Sequence, residues 1–133
     1  MAFDHTLRSQ PMVELENLNP NLYQKDLNLE DAYDLCRDIA LDHYENFTVV
    51  SKLMPAKKRK YIYTLYAYSR YTDDLGDELE KDNLEALDKW EEELMKIFKG
   101  DKPDNAITLA LQDTVEKHSL TAKPFLKLIE ANR

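Results

Sequence analysis

From about Pro55 to about Glu80 the sequence reads as one long helix, and the second half of that helix constrains everything around it. Residues three and four apart share a helix face, so Tyr66, Arg70, Asp73 and Asp77 line up, with Asp74 half a step to the side. Carboxylates this close repel one another, and like charges at i,i+4 cost a few tenths of a kcal/mol per pair. Arg70, one turn upstream, can pair with Asp73 or Asp74, and a divalent cation can satisfy the rest. Oxygen-only ligands of this hardness suit Mg²⁺, which binds through one or two carboxylates plus the phosphates of a substrate. The bland alternative is a solvated acidic face, which is what a run such as Asp73 to Asp82 usually is. Against it stands the aromatic run just upstream (Tyr61, Tyr63, Tyr66, Tyr68, Tyr71), which requires part of this helix to be buried. Gly76 lies between Asp73 and Asp77, where glycine costs about 1 kcal/mol relative to alanine. Its presence implies the close approach of a backbone, a ligand or a packing neighbour.

Composition supports helices. Two glycines, five prolines and 33% charged residues in 133 favour helix over strand or coil, and 43% hydrophobic content allows one domain with a modest core. A formal net charge of −8 argues against nucleic acid, whose phosphates need clustered basic residues. The basic cluster Lys57, Lys58, Arg59 and Lys60 reads as a solvated first helical turn, with steering of an anionic substrate or contact with acidic lipid as the alternative. Cys36 is the only cysteine, so no internal disulfide is expected and the residue reads as small packing on the first helix. The N-terminal residues carry Asp4, Arg8, Glu14 and Glu16 without an apolar run, which predicts no signal peptide. No stretch approaches the roughly 18 apolar residues that span a membrane. The expected location is cytoplasmic, with any membrane contact peripheral at the inner face.

Residues 1–27 lack periodicity and are interrupted by Pro11 and Pro20, which predicts an irregular lead-in before a helical domain over 28–133. Asn28 with Asp31 resembles a helix cap, opening a first helix from about Leu29 to about Phe47 with Ala32, Leu35, Ile39 and Ala40 inward. Pro55 suits the first turn of the long helix. A third helix is expected over Leu84–Lys99, with Leu84, Leu87, Trp90, Leu94 and Ile97 or Phe98 at helical spacing and Gly100 as its C-cap. A fourth covers about Asn105–His118, and Thr121 caps a fifth that tolerates Pro124 in its first turn. The fold class is all-α, about five helices. Read by themselves, His43 and the tyrosine run are ordinary core or edge residues.

Two stretches together resemble the squalene/phytoene synthase family, the head-to-head isoprenyl diphosphate synthases. Tyr66-Ala-Tyr-Ser-Arg70-Tyr-Thr-Asp73-Asp74-Leu-Gly-Asp77-Glu78 is similar to that family's first aspartate-rich motif with its upstream tyrosine and arginine. His43-Tyr-Glu-Asn-Phe-Thr-Val-Val-Ser-Lys-Leu-Met-Pro55 looks like the hydroxysqualene synthase branch of hopanoid synthesis. The resemblance implies an isoprenoid-synthase-type helical bundle around an apolar cavity. It implies Mg²⁺ on Asp73 and Asp77 with Asp74 supporting, and Arg70 on the substrate diphosphate. Tyr66 would hydrogen-bond the diphosphate or line the cavity, and His43, Tyr44, Asn46, Phe47 and Ser51 would lie along the first-helix side of the pocket. The implied reaction is Mg²⁺-assisted loss of diphosphate from presqualene diphosphate, with water capturing the carbocation to give hydroxysqualene.

Members of that family are about twice as long, and no second aspartate-rich motif is recognisable here. The sequence therefore reads as the N-terminal half of such a fold, inactive alone. Three outcomes are open: half of a split enzyme completed by a second chain, a non-catalytic helical module that associates with itself or another protein, or a synthase of squalene, dehydrosqualene or phytoene from farnesyl or related diphosphates.

Overall fold

A computed structural model describes residues 19–43, 52–78 and 82–133, and among these five α-helices and one 3₁₀ turn form an all-α fold. The 3₁₀ turn is Pro20–Tyr23, followed by α1 (Leu29–His43), α2 (Ala56–Glu78), α3 (Asn83–Lys99), α4 (Ala106–His118) and α5 (Lys123–Ala131). Helix α1 packs on α2 and α4, α2 also meets α3, and α5 closes across α2 and α3. No described helix is long and apolar enough to cross a membrane.

The starts and stops follow local chemistry. Asn28 Oδ1 accepts the Asp31 backbone N–H at 2.8 Å, and Glu30 and Asp31 place negative charge in the first turn of α1. Helix α3 ends at Gly100 with φ of 83°, a left-handed conformation that glycine adopts without Cβ strain. Asn105 caps α4 by accepting the Ile107 N–H at 2.7 Å. The cap expected from Thr121 is not made. Ala122 occupies the N-cap of α5 with no side-chain hydrogen bond, and the proline in the first turn needs no amide partner there.

The core is built on α2. Ala32, Cys36 and Ala40 of α1, four residues apart, are buried small side chains that let α2 approach closely. Cys36 meets Thr64, and burial pushes its thiol up to about 12, against a small opposing effect of the Thr64 hydroxyl. Trp90 of α3 is wedged against α2: its ring lies 4.7 Å from Tyr71 and 5.8 Å from Tyr68, while its Nε1 donates to Thr72 Oγ1 at 2.9 Å. Tyr68 in turn stands edge-on to Phe125 at 5.3 Å and donates its hydroxyl to the Phe125 carbonyl at 2.8 Å. Three helices thus meet on two aromatic side chains of α2. Leu22 and Leu27, from the segment read as lead-in, are also buried in this core. Leu84 departs from the expected stripe and is 56% exposed, because it sits in the first turn of α3, one turn short of the buried Ala86 and Leu87.

Among the described residues, Glu93 is a buried carboxylate. Its Oε2 accepts the backbone N–H groups of Asp104 (2.7 Å) and Asn105 (3.0 Å) and the Thr108 hydroxyl (2.7 Å). Its Oε1 lies 3.0 Å from Lys96 Nζ. A buried carboxylate is tolerable when its oxygens are engaged in this way, and this one fixes the Asp101–Asp104 loop to the start of α4.

Candidate functional site

The last two turns of α2 carry the acidic residues. Asp73 and Asp74 are half-buried and Asp77 is exposed, so the helix leaves the aromatic core and reaches solvent across this segment. The three carboxylates stand in three different chemical situations. Asp74 is neutralised: Arg70 Nη2 and Nε donate to its Oδ1 at 2.6 Å and 3.0 Å, an i,i+4 pair on one turn. This pair, with the Asp74 hydrogen bond foremost and burial opposing, raises Arg70 further above its already high value. Asp73 accepts a hydrogen bond at Oδ1 from Asn132 Nδ2 at 3.1 Å, from the residue that ends α5. Asp77 projects one turn beyond Asp73 on the same face.

Gly76 explains itself in this setting. A Cβ added there would lie 2.5 Å from Asn132 Oδ1 and 2.9 Å from its Cβ, so the close neighbour is the Asn132 side chain. The opposite side of the same turn is tied by Asn83 Nδ2, which donates to the Gly76 carbonyl at 3.2 Å.

Tyr66 lies one turn upstream of Arg70 and is half-buried in a second cluster with Ala40, Leu41, Met54, Ile62 and Tyr63. His43 ends α1; its side chain, and Tyr44, Asn46, Phe47 and Ser51, lie outside the described residues. The structure therefore brings Tyr66, Arg70, Asp73, Asp74 and Asp77 onto one stretch of α2. Beside the upstream part of that stretch, an apolar groove of about 270 Å³ is lined by Lys58, Tyr61, Ile62, Leu65, Thr114, His118 and Leu120. Ile62 precedes Asp73 by three turns, about 16 Å along the helix axis.

The donor set suits a hard cation only in part. Among the described residues no three His, Cys, Asp or Glu side chains converge as a metal set. With Asp74 engaged by Arg70, the turn offers Asp73 and Asp77. Two carboxylates are the number Mg²⁺ takes when substrate phosphates and water complete its shell. The guanidinium of Arg70 uses two of its five N–H donors on Asp74 and keeps others for an anion. Sequence reasoning missed Asn132 altogether, since nothing local marks an asparagine at a helix end as a partner for a carboxylate 59 residues away.

Comparison with known proteins places these observations. The squalene/phytoene synthase family matches residues 40–133. The chain is 38% identical to phytoene synthase of Arthrospira platensis over 105 residues, covering 77% of this chain and 34% of that protein. It is 35% identical to 15-cis-phytoene synthase of Synechococcus elongatus over 108 residues, covering 80% of this chain and 35% of that protein. The crystal structure of squalene synthase HpnC from Alicyclobacillus acidocaldarius superposes with a TM-score of 0.73 at 45% identity, covering 79% of this chain and 40% of that one. The chain thus spans about a third of the length of the curated relatives it matches.

Proposed function

Because the chain belongs to the squalene/phytoene synthase family, we propose that its acidic turn binds the diphosphate end of an isoprenoid substrate through Mg²⁺. In this reading Asp73 and Asp77 hold the cation, Asp74 keeps Arg70 on the same face, and the remaining Arg70 donors take phosphate oxygens. A cation held by Asp73 and Asp77 would supply neutralisation of the diphosphate charge as it leaves. Tyr66 packs beside Ile62, which also lines the apolar groove, and that groove would accept part of the hydrocarbon chain. The reaction we assign is loss of diphosphate from presqualene diphosphate with capture by water to give hydroxysqualene. A second set of carboxylates, on another segment or another polypeptide, completes the cation site.

The observation that carries this reading is the arrangement of α2: two carboxylates one turn apart at the solvent end of an aromatic helix, beside a third already neutralised by arginine. The hydroxysqualene assignment rests further on the His43–Pro55 stretch and on 45% identity to the squalene synthase HpnC. The phytoene synthases it resembles supply the competing product within the same chemistry.

The test is turnover of presqualene diphosphate with Mg²⁺, using this chain alone and with a candidate second-half chain, beside an Asp73→Ala/Asp77→Ala control. Turnover lost in the control supports the assignment, and product analysis separates hydroxysqualene from squalene, dehydrosqualene and phytoene. No turnover in either case, with folding indifferent to Mg²⁺, makes the acidic turn a solvated face and the chain a helical association module.

A further inference from the structure

The side chain of Asn132 reaches across from α5 to α2, and its position is determined from several sides. Its backbone N–H donates to the Ile129 carbonyl at 3.0 Å. Its Nδ2 donates to Asp73 Oδ1 and to the Leu128 carbonyl, each at 3.1 Å. Both of these neighbours are acceptors, so the amide can only present its nitrogen to them. Its Oδ1 rests on the bare Cα of Gly76, where no other residue leaves room. The adjacent Arg133 fastens the same end of α5 to α3, with Nη2 at 2.7 Å from both Asp88 Oδ1 and Glu91 Oε1. This is a braced side chain, and the group it braces is one of the two open carboxylates.

The two polar partners in the acidic turn differ in kind. Arg70 carries charge and cancels that of Asp74. Asn132 is neutral, so it orients Asp73 and leaves the carboxylate anionic. We propose that Asn132 is a positioning residue for Asp73, holding one carboxylate oxygen so that the other stays available, beside Asp77, to a divalent cation. Partners that orient metal-binding carboxylates have this character. Gly76 belongs to the same device, since a side chain there would displace the amide. The inference rests on the assignment of Asp73 and Asp77 as cation ligands.

The experiment measures binding of Mn²⁺, as a spectroscopic substitute for Mg²⁺, in the presence of inorganic diphosphate. Electron paramagnetic resonance would follow the intact chain, Asn132→Ala and Gly76→Ala, each checked for helicity by circular dichroism. The expected result is about a tenfold loss of Mn²⁺ affinity in both folded variants. A purely structural role would lower the melting temperature and leave that affinity unchanged, which would overturn the proposal. As a measurement free of folding risk, the side-chain amide signal of Asn132 in the unsubstituted chain should broaden on adding Mn²⁺. Broadening confined to residues elsewhere would also overturn it. No Mn²⁺ binding by the unsubstituted chain would remove the cation assignment itself, a result distinct from unchanged affinity in the variants.

Discussion

Two groups of acidic residues, Glu93 and the Asp73–Asp77 turn, show how differently one functional group is used within a single helical fold. Glu93 is buried, and its two oxygens take two backbone amides, a hydroxyl and an ammonium. Nothing is left over for a ligand. In the acidic turn one carboxylate is neutralised by Arg70, one is oriented by Asn132, and one is exposed. A carboxylate whose lone pairs are all engaged holds the fold, while carboxylates kept partly open at the surface can do chemistry. Burial alone separates the two less well than the count of donors already facing each oxygen.

The comparison is most sharply tested at Glu93. Replacing it by alanine strands the backbone amides of Asp104 and Asn105, while Lys96 keeps Asp104 and the Thr108 hydroxyl keeps the Asn105 carbonyl, and should destabilise the protein by on the order of 3 kcal/mol in urea unfolding. A loss under about 1 kcal/mol would remove Glu93 from its structural role. Asp113 should fall between the two groups. It accepts the Tyr33 hydroxyl at 2.6 Å and lies 3.1 Å from Lys117 Nζ. Burial pushes its carboxyl up, but the Tyr33 hydrogen bond and Lys117 together outweigh it, so the net shift is below the ordinary value. A lowered folded value means that the contribution is fully present above the unfolded value of about 3.9 and disappears as pH falls through the folded value beneath it. Asp113→Asn should therefore cost about 1 kcal/mol near neutral pH and nothing by the acid end of that window. A cost that persists undiminished in acid would refute the linkage.

Smaller effects are expected in the acidic turn. Asp74→Asn removes an i,i+4 pair that is about one-third exposed, and should cost at most about 0.5 kcal/mol in thermal unfolding. The larger consequence is a freed Arg70, read as altered diphosphate affinity in calorimetry. Asp73→Asn and Asp77→Asn should change stability least, within a few tenths of a kcal/mol and in the stabilising direction where repulsion is relieved. Both should nevertheless abolish Mn²⁺ binding. A destabilisation comparable to that of Glu93→Ala would erase the distinction between the two groups.

Much of this was legible in the sequence. The period of the apolar residues, with the cap signals at Asn28 and Gly100, located all five helices, because these signals are local. The one-face alignment of Tyr66, Arg70, Asp73 and Asp77 was legible for the same reason. What local pattern leaves open is which partner a side chain chooses. Arg70 had Asp73 and Asp74 within reach, and the structure pairs it with Asp74 while Asn132 takes Asp73. Helical spacing puts Glu93, unlike Glu91 and Glu92, on the face of Trp90, Leu94 and Ile97, but the α4 amides and hydroxyl that receive it have no local signature. Leu84 has helical spacing but lies too near the start of α3 to be covered. Long-range contacts such as Tyr33 to Asp113, 80 residues apart, have no local signature at all.

The fully buried Cys36 has a kinetic consequence. It is the sole thiol of the chain, sealed where α1 meets α2 and raised to about 12 by burial, so a thiol reagent cannot reach a reactive thiolate in the closed fold. Labelling must wait for α1 to lift away. The protein thus carries an internal clock whose ticks are openings of that helix pair, readable with a thiol reagent at one residue and without introducing another cysteine.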